Sequence, residues 1–494
     1  MIFDVAIVGL GPVGAALANL LGLCGVSVAV FERERSVYHL PRAGHFDDEV
    51  MRVWQTIGLA DEIADGAMIN RGMRFVNQCG KLLINWPRPQ QEGPQAWHPS
   101  WRFDQPTLET SLRRGLTRFA NVQVHLGADV ESIDGTELHW RDLATGTRAR
   151  TEARWIVGCD GGRSLVRRTA GIEMEDLGSH ERWLVIDLEL KEPVPGLDDF
   201  TVQLCDPRRP MTLVRMVGAR RRWEIMLMPG DDPETIARPE SVWSLLRPWT
   251  GPDRASIVRA VVYTFHAVLA RGWRRGRLLL CGDAAHQSPP FMGQGMCAGI
   301  RDAANLAWKL AMLLRGQAGE SLLDSYESER APHVRAYVET AVRLGRLVQI
   351  TDAREARARD ALLSTNPEVM QSIRPDLGPG LHGNAAEGAA LRHGGMLSHQ
   401  PRLTDGSRMD DTVGYRFAVI GDPAILRQSS PAACGTWSDV GAKILPSTGS
   451  EWLAGLETRA AIIRPDRYIL GTARNPAELE AVTRAIPCVR QAAA

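Results

Sequence analysis

A stretch near the middle of the sequence, residues 277–309, carries residue types that suit the binding of a polyhydroxylated, anionic ligand. The apolar run Leu278 to Leu280 predicts a buried strand, and Gly282 and Asp283 follow it directly. A loop rich in proline and glycine comes next, and a helix is predicted to start near Met296. The carboxylate can bind hydroxyl groups, and a helix N-terminus favours a delocalised anion. The combination suits a flavin, although a purely structural loop could have the same composition.

The start of the sequence predicts a strand, a glycine turn, a helix and a second strand. The apolar run Phe3 to Val8 leads into Gly-Leu-Gly-Pro-Val-Gly at residues 9–14, and a later apolar run ends at Glu32. In this context the first glycine permits a tight turn, the second lets the backbone approach a pyrophosphate, and the third allows close helix–sheet packing. Glu32 lies 18 residues after Gly14, near the spacing of an acid that binds ribose hydroxyls.

This segment therefore predicts an adenine-dinucleotide site. Its predicted binding residues are Gly9, Gly11, Pro12, Val13, Gly14, Glu32 and Arg33. Arg42, in the sequence Pro-Arg-Ala-Gly, could pair with a pyrophosphate, or it could be a surface arginine that caps a helix. A further strand, Trp155 to Val157, delivers Asp160 and Gly161 to its carboxyl end, where open α/β sheets bind their ligands.

Composition excludes several other classes of protein. The 58 basic and 58 acidic side chains cancel, which argues against a nucleic-acid or anionic-membrane partner. The eight cysteines occur without a C-x-x-C pair, which argues against structural zinc, iron–sulfur ligation and a disulfide framework. No apolar run approaches the roughly 18–20 residues of a membrane span, and a strand occupies the place of a signal peptide. These features predict a cytoplasmic protein without a bound metal.

The order of the predicted elements indicates an α/β fold with an inserted sheet. Between about residues 173 and 263 the pattern changes to short strands separated by glycine, proline and arginine clusters, which indicates an antiparallel sheet that can roof a pocket. The predicted segments are 1–172 (dinucleotide-binding domain, first part, with a strand excursion near 70–100), 173–266 (substrate-binding sheet), 267–372 (dinucleotide-binding domain, second part, and helices) and 373–494 (small α/β domain).

Three motifs in this order, GLGPVG with Glu32, CDGGRS and CGDAAHQSPPFMGQG, resemble the class A flavoprotein aromatic hydroxylases, the single-component FAD monooxygenases. The resemblance runs from residue 3 to about residue 340. Within the family, PRA followed by DDE, LCDPRRP, MLMPG, VYTFHA and RDAANLAWKLA are most similar to the 3-(3-hydroxyphenyl)propionate hydroxylases. The family implies a Rossmann-like FAD-binding domain, an inserted substrate sheet and a thioredoxin-like C-terminal domain, which here lacks a redox C-x-x-C.

The resemblance also implies the cofactors, FAD as the resident group and NADH or NADPH as a visiting co-substrate. The positions that it implies outside the glycine turn are Arg42 and Gln105 (pyrophosphate and ribityl), Asp160 and Gly161 (FAD and nicotinamide), Gly282 and Asp283 (ribityl), and Pro289, Gly293, Gly295 and Met296 (isoalloxazine). Cys297 stands where the family often has asparagine, so a side-chain contact with the flavin is in doubt there.

The reaction implied by the resemblance starts with reduction of FAD by NAD(P)H. O₂ then gives a C4a-hydroperoxyflavin, which delivers oxygen to a phenol carbon, usually ortho to the hydroxyl. The pocket must exclude water, which would release hydrogen peroxide, and it needs a group that helps to remove the phenolic proton. The candidates for that group are His45, His98, Tyr263 and His266.

Two of these candidates are preferred as catalytic residues. His45 follows Pro-Arg-Ala-Gly directly and is expected near the flavin. Tyr263 and His266 are three residues apart on one strand, so at most one is expected to face inward, and we favour Tyr263. His286 is expected to be a buried structural histidine. Arg215 and Arg182 could pair with a substrate carboxylate, although they could equally be surface arginines.

The sequence therefore predicts an FAD-dependent monooxygenase that hydroxylates a phenol resembling 3-(3-hydroxyphenyl)propionate. A hydroxylase of a polycyclic or polyketide phenol is the nearest alternative. A flavin-dependent reductase or halogenase, or a flavin-binding protein without catalysis, is less favoured, and halogenases would require a lysine motif near the first helix. The exact substrate, the choice between NADH and NADPH and the oligomeric state stay open, with a homodimer as one option.

Overall fold

The computed structural model describes residues 2–197, 199–365, 367–383, 391–403, 405–447 and 450–488. In chain order the strands are β1 (Ile2–Val8), β2 (Val28–Glu32), β3 (His45–Asp47), β4 (Met68–Ile69), β5 (Gly72–Asn77), β6 (Leu82–Pro87), β7 (Ser100–Arg102), β8 (Val122–Leu126), β9 (Ala128–Asp134), β10 (Glu137–Asp142), β11 (Arg148–Gly158), β12 (Met174–Leu190), β13 (Thr201–Cys205), β14 (Met211–Arg215), β15 (Arg220–Met226), β16 (Ala255–Ala270), β17 (Arg274–Arg275), β18 (Leu278–Leu280), β19 (His286–Gln287), β20 (Glu368–Val369), β21 (Ala418–Gly421), β22 (Lys443–Pro446), β23 (Ala460–Ile463) and β24 (Ile469–Ala473). The α-helices are α1 (Pro12–Leu23), α2 (Asp48–Thr56), α3 (Ala60–Asp65), α4 (Gln105–Leu116), α5 (Leu165–Thr169), α6 (Pro233–Ile236), α7 (Pro239–Leu246), α8 (Gly295–Leu314), α9 (Asp324–Val348), α10 (Ala353–Thr365), α11 (Met409–Val413), α12 (Pro423–Arg427), α13 (Pro431–Asp439), α14 (Glu451–Gly455) and α15 (Pro476–Arg484).

A mostly parallel sheet forms the first layer, in the order β17-β18-β11-β1-β2-β8, and the hairpin β9–β10 extends from β11. Its central strands are apolar runs because both faces are covered, and Val5, Ala6 and Ile7 are fully buried. Parallel pairing brings the carboxyl ends of β1, β2, β11 and β18 to one edge. The glycine turn, Glu32 and the segments after β11 and β18 therefore meet there.

A nine-stranded sheet forms the roof of the site, in the order β19-β16-β12-β15-β14-β13-β5-β6-β20. Its longest strands, β12 and β16, pair antiparallel along most of their length. The side chains alternate between two faces, as expected for a sheet that is covered differently on each side. Trp223 and Ile225 join an apolar cluster with Val242 and Leu246 of α7, whereas Glu224 between them faces the opposite way.

The C-terminal segment packs on helix α8. Strands β22-β21-β23-β24 form a mixed four-stranded sheet, with the helices α12, α13 and α15 beside it. Its apolar residues Val419, Ile462 and Leu470 share one buried cluster with Trp308 and Met312 of α8. Helix α8, which begins at Gly295, thus packs against the C-terminal segment near its other end.

The predicted α/β fold with an inserted sheet is confirmed, and several details differ. The strands of the predicted excursion near 70–100, β5 and β6, belong to the nine-stranded sheet, and β16 runs past residue 266. The inserted sheet is not wholly antiparallel, because β13 pairs with β5, and β6 with β20, in parallel. The thioredoxin-like character of residues 373–494 stays a prediction, and parts of that segment, such as 384–390 and 489–494, lie outside the described residues.

Candidate active site

A cavity of about 490 Å³ lies between the carboxyl edge of the parallel sheet and the inner face of the nine-stranded sheet. It brings together most of the predicted site residues, namely Gly11, Pro12, Val13, Arg42, His45, Gln105, Gly161, Tyr263, Asp283, Pro289, Gly293, Gly295 and Met296. The predicted residues outside its lining are Gly9, Gly14, Glu32, Arg33, Asp160 and Gly282. The sequence motifs therefore converge on one cavity, and the residues outside the lining support or flank it.

The glycine turn has the geometry of a backbone that a ligand can approach closely. Gly9 has φ of +98°, and a Cβ built there would lie 2.4 Å from the carbonyl oxygen of Cys159. A Cβ on Gly14 would lie 2.1 Å from the carbonyl oxygen of Gly9. A Cβ on Gly11 would meet no atom within 4 Å, so the open side of this residue faces the cavity. Gly9 and Gly14 are fixed by packing, and Gly11 leaves room for a ligand.

Glu32, the last residue of β2, and Arg33, which follows it, differ in their roles. The Glu32 carboxylate accepts hydrogen bonds from the backbone N–H of Leu10 at 2.7 Å and of Glu34 at 2.9 Å. Glu32 therefore holds the glycine turn against the end of β2, at the edge where the predicted ribose would lie. The Arg33 side chain is largely exposed and lies 4.0 Å from Asp129. Arg33 lies outside the cavity lining, and its contact with the cofactor stays a prediction.

Asp160 supports its neighbours from behind the cavity lining. Its Oδ2 accepts hydrogen bonds from the backbone N–H of Leu165 at 2.6 Å and of Val166 at 3.2 Å, at the start of α5. Among the described residues, no partner satisfies its buried Oδ1. Gly161, which follows, lines the cavity, whereas Gly282 packs behind it against Val13.

The segment around Arg42 is fixed by its backbone and leaves its side chain exposed at the cavity. The Gln105 Oε1 accepts hydrogen bonds from the backbone N–H of Arg42 at 2.8 Å and of Ala43 at 2.6 Å. Arg222 donates to the carbonyl oxygens of Pro41 and Arg42, at 2.5 and 2.6 Å. Gln105 thus positions the loop that carries Arg42. It also lines the cavity, and its direct contact with the ligand stays a prediction.

The start of helix α8 and the residue Asp283 also line the cavity. Gly293 has φ of +65°, and Gly293, Gly295 and Met296 line the cavity. The helix has no side-chain cap at its N-terminus, so backbone N–H groups of its first turn are available to an acceptor. Cys297 does not line the cavity, and burial raises the pKa of its thiol, which stays neutral. Its side chain therefore does not replace the amide of the family asparagine.

His45 lines the cavity, but protein atoms bind both of its ring nitrogens. Nδ1 lies 3.2 Å from the carbonyl oxygen of Gly293, and Nε2 lies 2.8 Å from the hydroxyl of Ser100. A carbonyl oxygen can only accept, so Nδ1 carries the hydrogen and Nε2 accepts from Ser100. Burial, together with the Arg102 and Arg88 guanidiniums, lowers the pKa of His45 to about 3. His45 is therefore a neutral ring that ties the Gly293 loop to β7.

The cavity borders four consecutive residues of β16, from Tyr263 to His266. That at most one of Tyr263 and His266 faces inward stays a prediction; both border the cavity at this edge, where β19 pairs with β16 only at Val268 and Leu269. The Tyr263 hydroxyl lies 3.5 Å from a guanidinium nitrogen of Arg259. His266 instead pairs with His180, with 2.7 Å between the two Nδ1 atoms.

The remaining candidates lie elsewhere. His286 is buried with its Nε2 2.6 Å from Asp302, which fits the structural role predicted for it. His98 packs against Trp101 outside the lining. Among the described lining residues there is neither Arg182 nor Arg215, and Arg215 donates to backbone carbonyls of its own turn.

Sequence reasoning missed a polar wall of the cavity. It consists of side chains from β7, β13, β14 and β15 and from the residues that follow β4 and β6, namely Asn70, Arg88, Arg102, Thr201, Gln203, Thr212 and Glu224. The only sequence signal was the alternation of polar Thr201 and Gln203 along a strand, which marks one face of a sheet. That pattern does not show what the face covers.

Two classes of site find no support in the described part of the chain. No group of three or more histidine, cysteine, aspartate or glutamate side chains there could hold a metal ion. Among the same residues, no helix combines the length and the apolar character that crossing a membrane requires.

Comparison with known proteins places these features in context. The model of the FAD binding domain family matches residues 3–341. The chain is 38% identical to a probable NADH-specific resorcinol 4-hydroxylase of Rhodococcus jostii, over 97% of this chain and 94% of that protein. It is 35% identical to a 3-(3-hydroxy-phenyl)propionate/3-hydroxycinnamic acid hydroxylase of Mycolicibacterium smegmatis, over 95% and 90%.

Solved structures share the fold at lower identity. The flavin-dependent monooxygenase PieE, in complex with FAD and substrate, superposes with a TM-score of 0.78 at 21% identity, over 98% of both chains. Aklavinone-11 hydroxylase, with FAD and aklavinone, superposes with the same TM-score at 21% identity, over 98% of this chain and 99% of that one.

Proposed function

Because this chain belongs to the FAD-binding domain family and is a flavin-dependent aromatic hydroxylase, we propose that it uses NADH to hydroxylate a small phenol. The names of the resorcinol and hydroxyphenylpropionate hydroxylases support this substrate class, and the first of them supports NADH over NADPH. In the proposed reaction, one atom of O₂ enters the ring ortho to an existing hydroxyl. The enzyme is proposed to act in the cytoplasm, with a homodimer as one possible assembly.

The residues proposed to hold FAD are those of the motif end of the cavity. The turn of Gly9, Gly11, Pro12, Val13 and Gly14, with Glu32 and Arg33, would hold the ADP half. Arg42 and Gln105, with Asp160 and Gly161 beside them, would lie along the pyrophosphate. Gly282, Asp283, Pro289, Gly293, Gly295 and Met296 would hold the ribityl chain and the ring. The open side of Gly11 and the exposed Asp283 carboxylate, both at the cavity, fit a polyhydroxylated diphosphate.

FAD supplies redox and oxygen chemistry that amino-acid side chains lack, and the protein supplies position and polarity. Asp283 would accept hydrogen bonds from hydroxyl groups, and the first-turn N–H groups of α8 would donate to an anionic acceptor. His45 would keep the Gly293 loop in place through its two hydrogen bonds. The roof of β-strands would keep water out while the ring reacts. Tyr263 stays a proposed pocket residue beside the substrate.

The single observation that carries the proposal is the composition of the cavity lining. One set of lining residues, the cofactor end, belongs to the three motifs, and a second set, the polar wall, consists of polar side chains. Such a wall can orient a small polar substrate beside a cofactor. The relatives act, by their names, on small phenols, which fits this lining.

A hydroxylase of a polycyclic phenol is the second candidate, and one observation favours it. The solved structures with the same fold include a complex with aklavinone. The polar wall argues against it here, because burying Arg102 or Glu224 against an apolar ring system would leave a charge without a partner.

The experiment that tests the proposal measures cofactor content and coupled turnover together. Purified protein should be yellow and should release FAD, not FMN, on denaturation. Resorcinol or 3-(3-hydroxyphenyl)propionate should stimulate NADH oxidation, and mass spectrometry should find a product heavier by one oxygen atom. Tight binding of FAD without substrate-stimulated NADH oxidation would instead indicate a flavin-binding protein without catalysis.

One substitution tests the cofactor end directly. Asp283→Ala should lower the FAD content of purified protein at least tenfold at limiting FAD, since a charge-assisted hydrogen bond contributes about 1.5–3 kcal/mol. Asp253→Ala is the matched control, because Asp253 is an exposed residue of a distant turn. Full occupancy in Asp283→Ala would contradict the proposed ribityl contact.

A further inference from the structure

The buried arginines of the described chain are almost all neutralised by carboxylates. Nine arginines are buried, and eight of them have an aspartate or glutamate oxygen within 4.0 Å. The exception is Arg102, which is 6% exposed. Its Nε donates to the Asn70 Oδ1 at 3.2 Å and its Nη2 donates to the Thr201 hydroxyl, both neutral acceptors. Arg102 is thus a buried cation without a counter-ion among the described residues.

The buried carboxylates also include a single exception. Ten aspartates and glutamates of the described chain are buried, and nine accept at least one hydrogen bond from another residue. The exception is Glu224, which is 8% exposed. Its nearest guanidinium nitrogen within 4.0 Å belongs to Arg222, at 3.9 Å, beyond hydrogen-bond distance.

Both exceptions face the same cavity. Arg102 and Glu224 line its polar wall, and Glu224 pairs in register with Val185 of β12 and Thr212 of β14, which line it too. Arg102 lies on β7, in a three-stranded sheet of order β3-β7-β4, whereas Glu224 lies in the nine-stranded sheet, and no salt bridge within 4.0 Å joins them. A buried charge without a hydrogen-bonded counter-ion is costly, so two of opposite sign beside one cavity indicate a shared polar ligand.

The position of Arg102 is fixed relative to the cofactor end. Asn70, which holds the Arg102 Nε, also donates from Nδ2 to the Ser100 hydroxyl at 2.8 Å. Ser100 in turn binds His45, which binds the carbonyl oxygen of Gly293. A continuous set of hydrogen bonds therefore ties the guanidinium to the loop before α8. A substrate held by Arg102 would have a defined place with respect to that loop.

We propose that Arg102 and Glu224 bind the phenolic hydroxyl of the substrate, Glu224 as the acceptor of its proton and Arg102 as the donor that holds its oxygen. This inference rests on the proposed function and names the residues that recognise the reacting hydroxyl. In the proton transfer, the phenolic O–H bond breaks and an O–H bond forms on the Glu224 carboxylate. The negative charge moves to the phenolate oxygen beside Arg102, and no other reactant is needed.

The charges around the pair suit this transfer. Burial raises the pKa of Glu224, against the lowering effect of Arg222, so its carboxylate is a stronger base than an exposed one. The other charged groups that act on it are Asp187, Arg259 and Arg102. Burial and the nearby Arg88 lower the pKa of Arg102 to about 10, so it stays a cation at neutral pH. The resulting phenolate enriches the ring in electrons, as attack by an electrophilic oxygen requires.

The test measures ligand binding to the FAD-loaded protein by titration calorimetry, with resorcinol as the probe. Arg102→Gln should weaken binding at least tenfold, and Arg102→Lys should recover most of the loss. Binding of 1,3-dimethoxybenzene, which has no hydroxyl, should be the same in both variants and in the wild type. Arg182→Gln, at an exposed arginine of the nine-stranded sheet outside the cavity lining, is the matched control.

The role of Glu224 is separated from binding by the pH profile of coupled hydroxylation. Wild-type activity should fall as the pH falls through the pKa of Glu224, because the protonated acid cannot accept the proton. Glu224→Gln should bind resorcinol within about threefold of the wild type, lose at least 100-fold in coupled turnover, and lack this acidic limb. Glu189→Gln, at an exposed glutamate of β12, should keep the wild-type profile.

Four results would overturn the inference. The first is unchanged resorcinol affinity in Arg102→Gln, and the second is an unchanged pH profile in Glu224→Gln. The third is a loss, in Arg102→Gln, of affinity for 3-(3-hydroxyphenyl)propionate but not for its methyl ester, which would assign Arg102 to a carboxylate. The fourth is a loss of activity in either variant that is accompanied by a large fall in its thermal unfolding temperature, which would mean a structural role. If wild-type enzyme hydroxylates phenols and the variants match it, this inference fails alone, whereas a wild type that hydroxylates no phenol removes the proposed function as well.

Discussion

Buried charge occurs in two contrasting forms in this molecule. The interface cluster, Lys309 and Glu329 of helices α8 and α9 with Arg464 and Asp466 of the C-terminal domain, is closed and saturated. Glu329 accepts from Lys309 at 2.7 Å and from both terminal nitrogens of Arg464 at 2.9 and 2.7 Å. In the cavity wall, among the described residues, Arg102 has only neutral hydrogen-bond partners, and the only guanidinium nitrogen within 4.0 Å of Glu224, from Arg222, lies at 3.9 Å, beyond hydrogen-bond distance.

This difference distinguishes buried charges that stabilise the fold from buried charges that can bind a ligand. In the interface cluster two positive and two negative groups cancel, with side chains at most 1% exposed, so nothing remains for a ligand to bind. A network of this kind is strongly cooperative when it is complete and costly when one member is lost. The cavity pair is incomplete in the protein alone, and a site of that kind lowers stability until a ligand completes it. The two regions should therefore respond to substitution in opposite ways.

The largest expected effect is on the interface cluster. Arg464→Gln would leave Lys309 as the only cation of the cluster beside two buried carboxylates, and we expect the free energy of unfolding to fall by about 3–5 kcal/mol. Urea unfolding of the FAD-loaded protein measures the change. Arg459→Gln is the control, since it removes an exposed ion pair with Asp422 and should cost about 1 kcal/mol or less. Equal losses in the two variants would contradict the structural role of the cluster.

The second prediction concerns His45, a buried and neutral side chain with both ring nitrogens hydrogen-bonded. Its pKa is lowered to about 3 in the folded protein, from an ordinary value of 6.5. Between these values the unfolded chain binds more protons, so acid favours unfolding. From pH 6.5 to pH 4.5 this histidine should cost about 2 kcal/mol, and His45→Asn should remove that part of the slope. Parallel stability curves for the two proteins over this range would exclude it.

The third prediction is an increase in stability. Arg102→Met removes a buried cation that has no counter-ion, and we expect the free energy of unfolding to rise by about 1 kcal/mol without substrate. The same urea experiment measures it, with Arg464→Gln as the contrasting variant. A loss of stability in Arg102→Met as large as in Arg464→Gln would remove the distinction between the two regions.

The cofactor end could be predicted from sequence because its constraints are local. Within the strand–turn–helix unit, Gly9 is required by its positive φ and Gly14 by the approach of the Gly9 carbonyl, whereas Gly11 leaves open space for a ligand. Such constraints appear as fixed spacings in the chain. Asp283 lies three residues after the end of its strand, so its place at the carboxyl edge could be predicted once the strand was recognised. The fold class followed from the same units.

The polar wall could not be predicted, because its partners are far apart in the chain. Arg102 is distinguished from eight other buried arginines only by what does not lie beside it, and a sequence does not show this. Glu224 has an aromatic and an aliphatic neighbour, so its strand predicts a buried face but not the cavity on the opposite face. The mutual bonds of His45, Ser100 and Asn70 likewise depend on the pairing of β3 with β7.

The smallest expected effect is that of Tyr263→Phe, and it decides between two proton acceptors. The Tyr263 hydroxyl makes one long contact, 3.5 Å to Arg259, so its loss should change the free energy of unfolding by less than about 0.5 kcal/mol. If Glu224 accepts the phenolic proton, Tyr263→Phe should retain coupled hydroxylation of resorcinol within about threefold and keep the acidic limb of the pH profile. If Tyr263 itself performs the transfer, the same variant should lose at least 100-fold in coupled turnover while Glu224→Gln stays active. Stopped-flow absorbance and product analysis of both variants, side by side, therefore separate a proton acceptor in the sheet interior from one at its open edge.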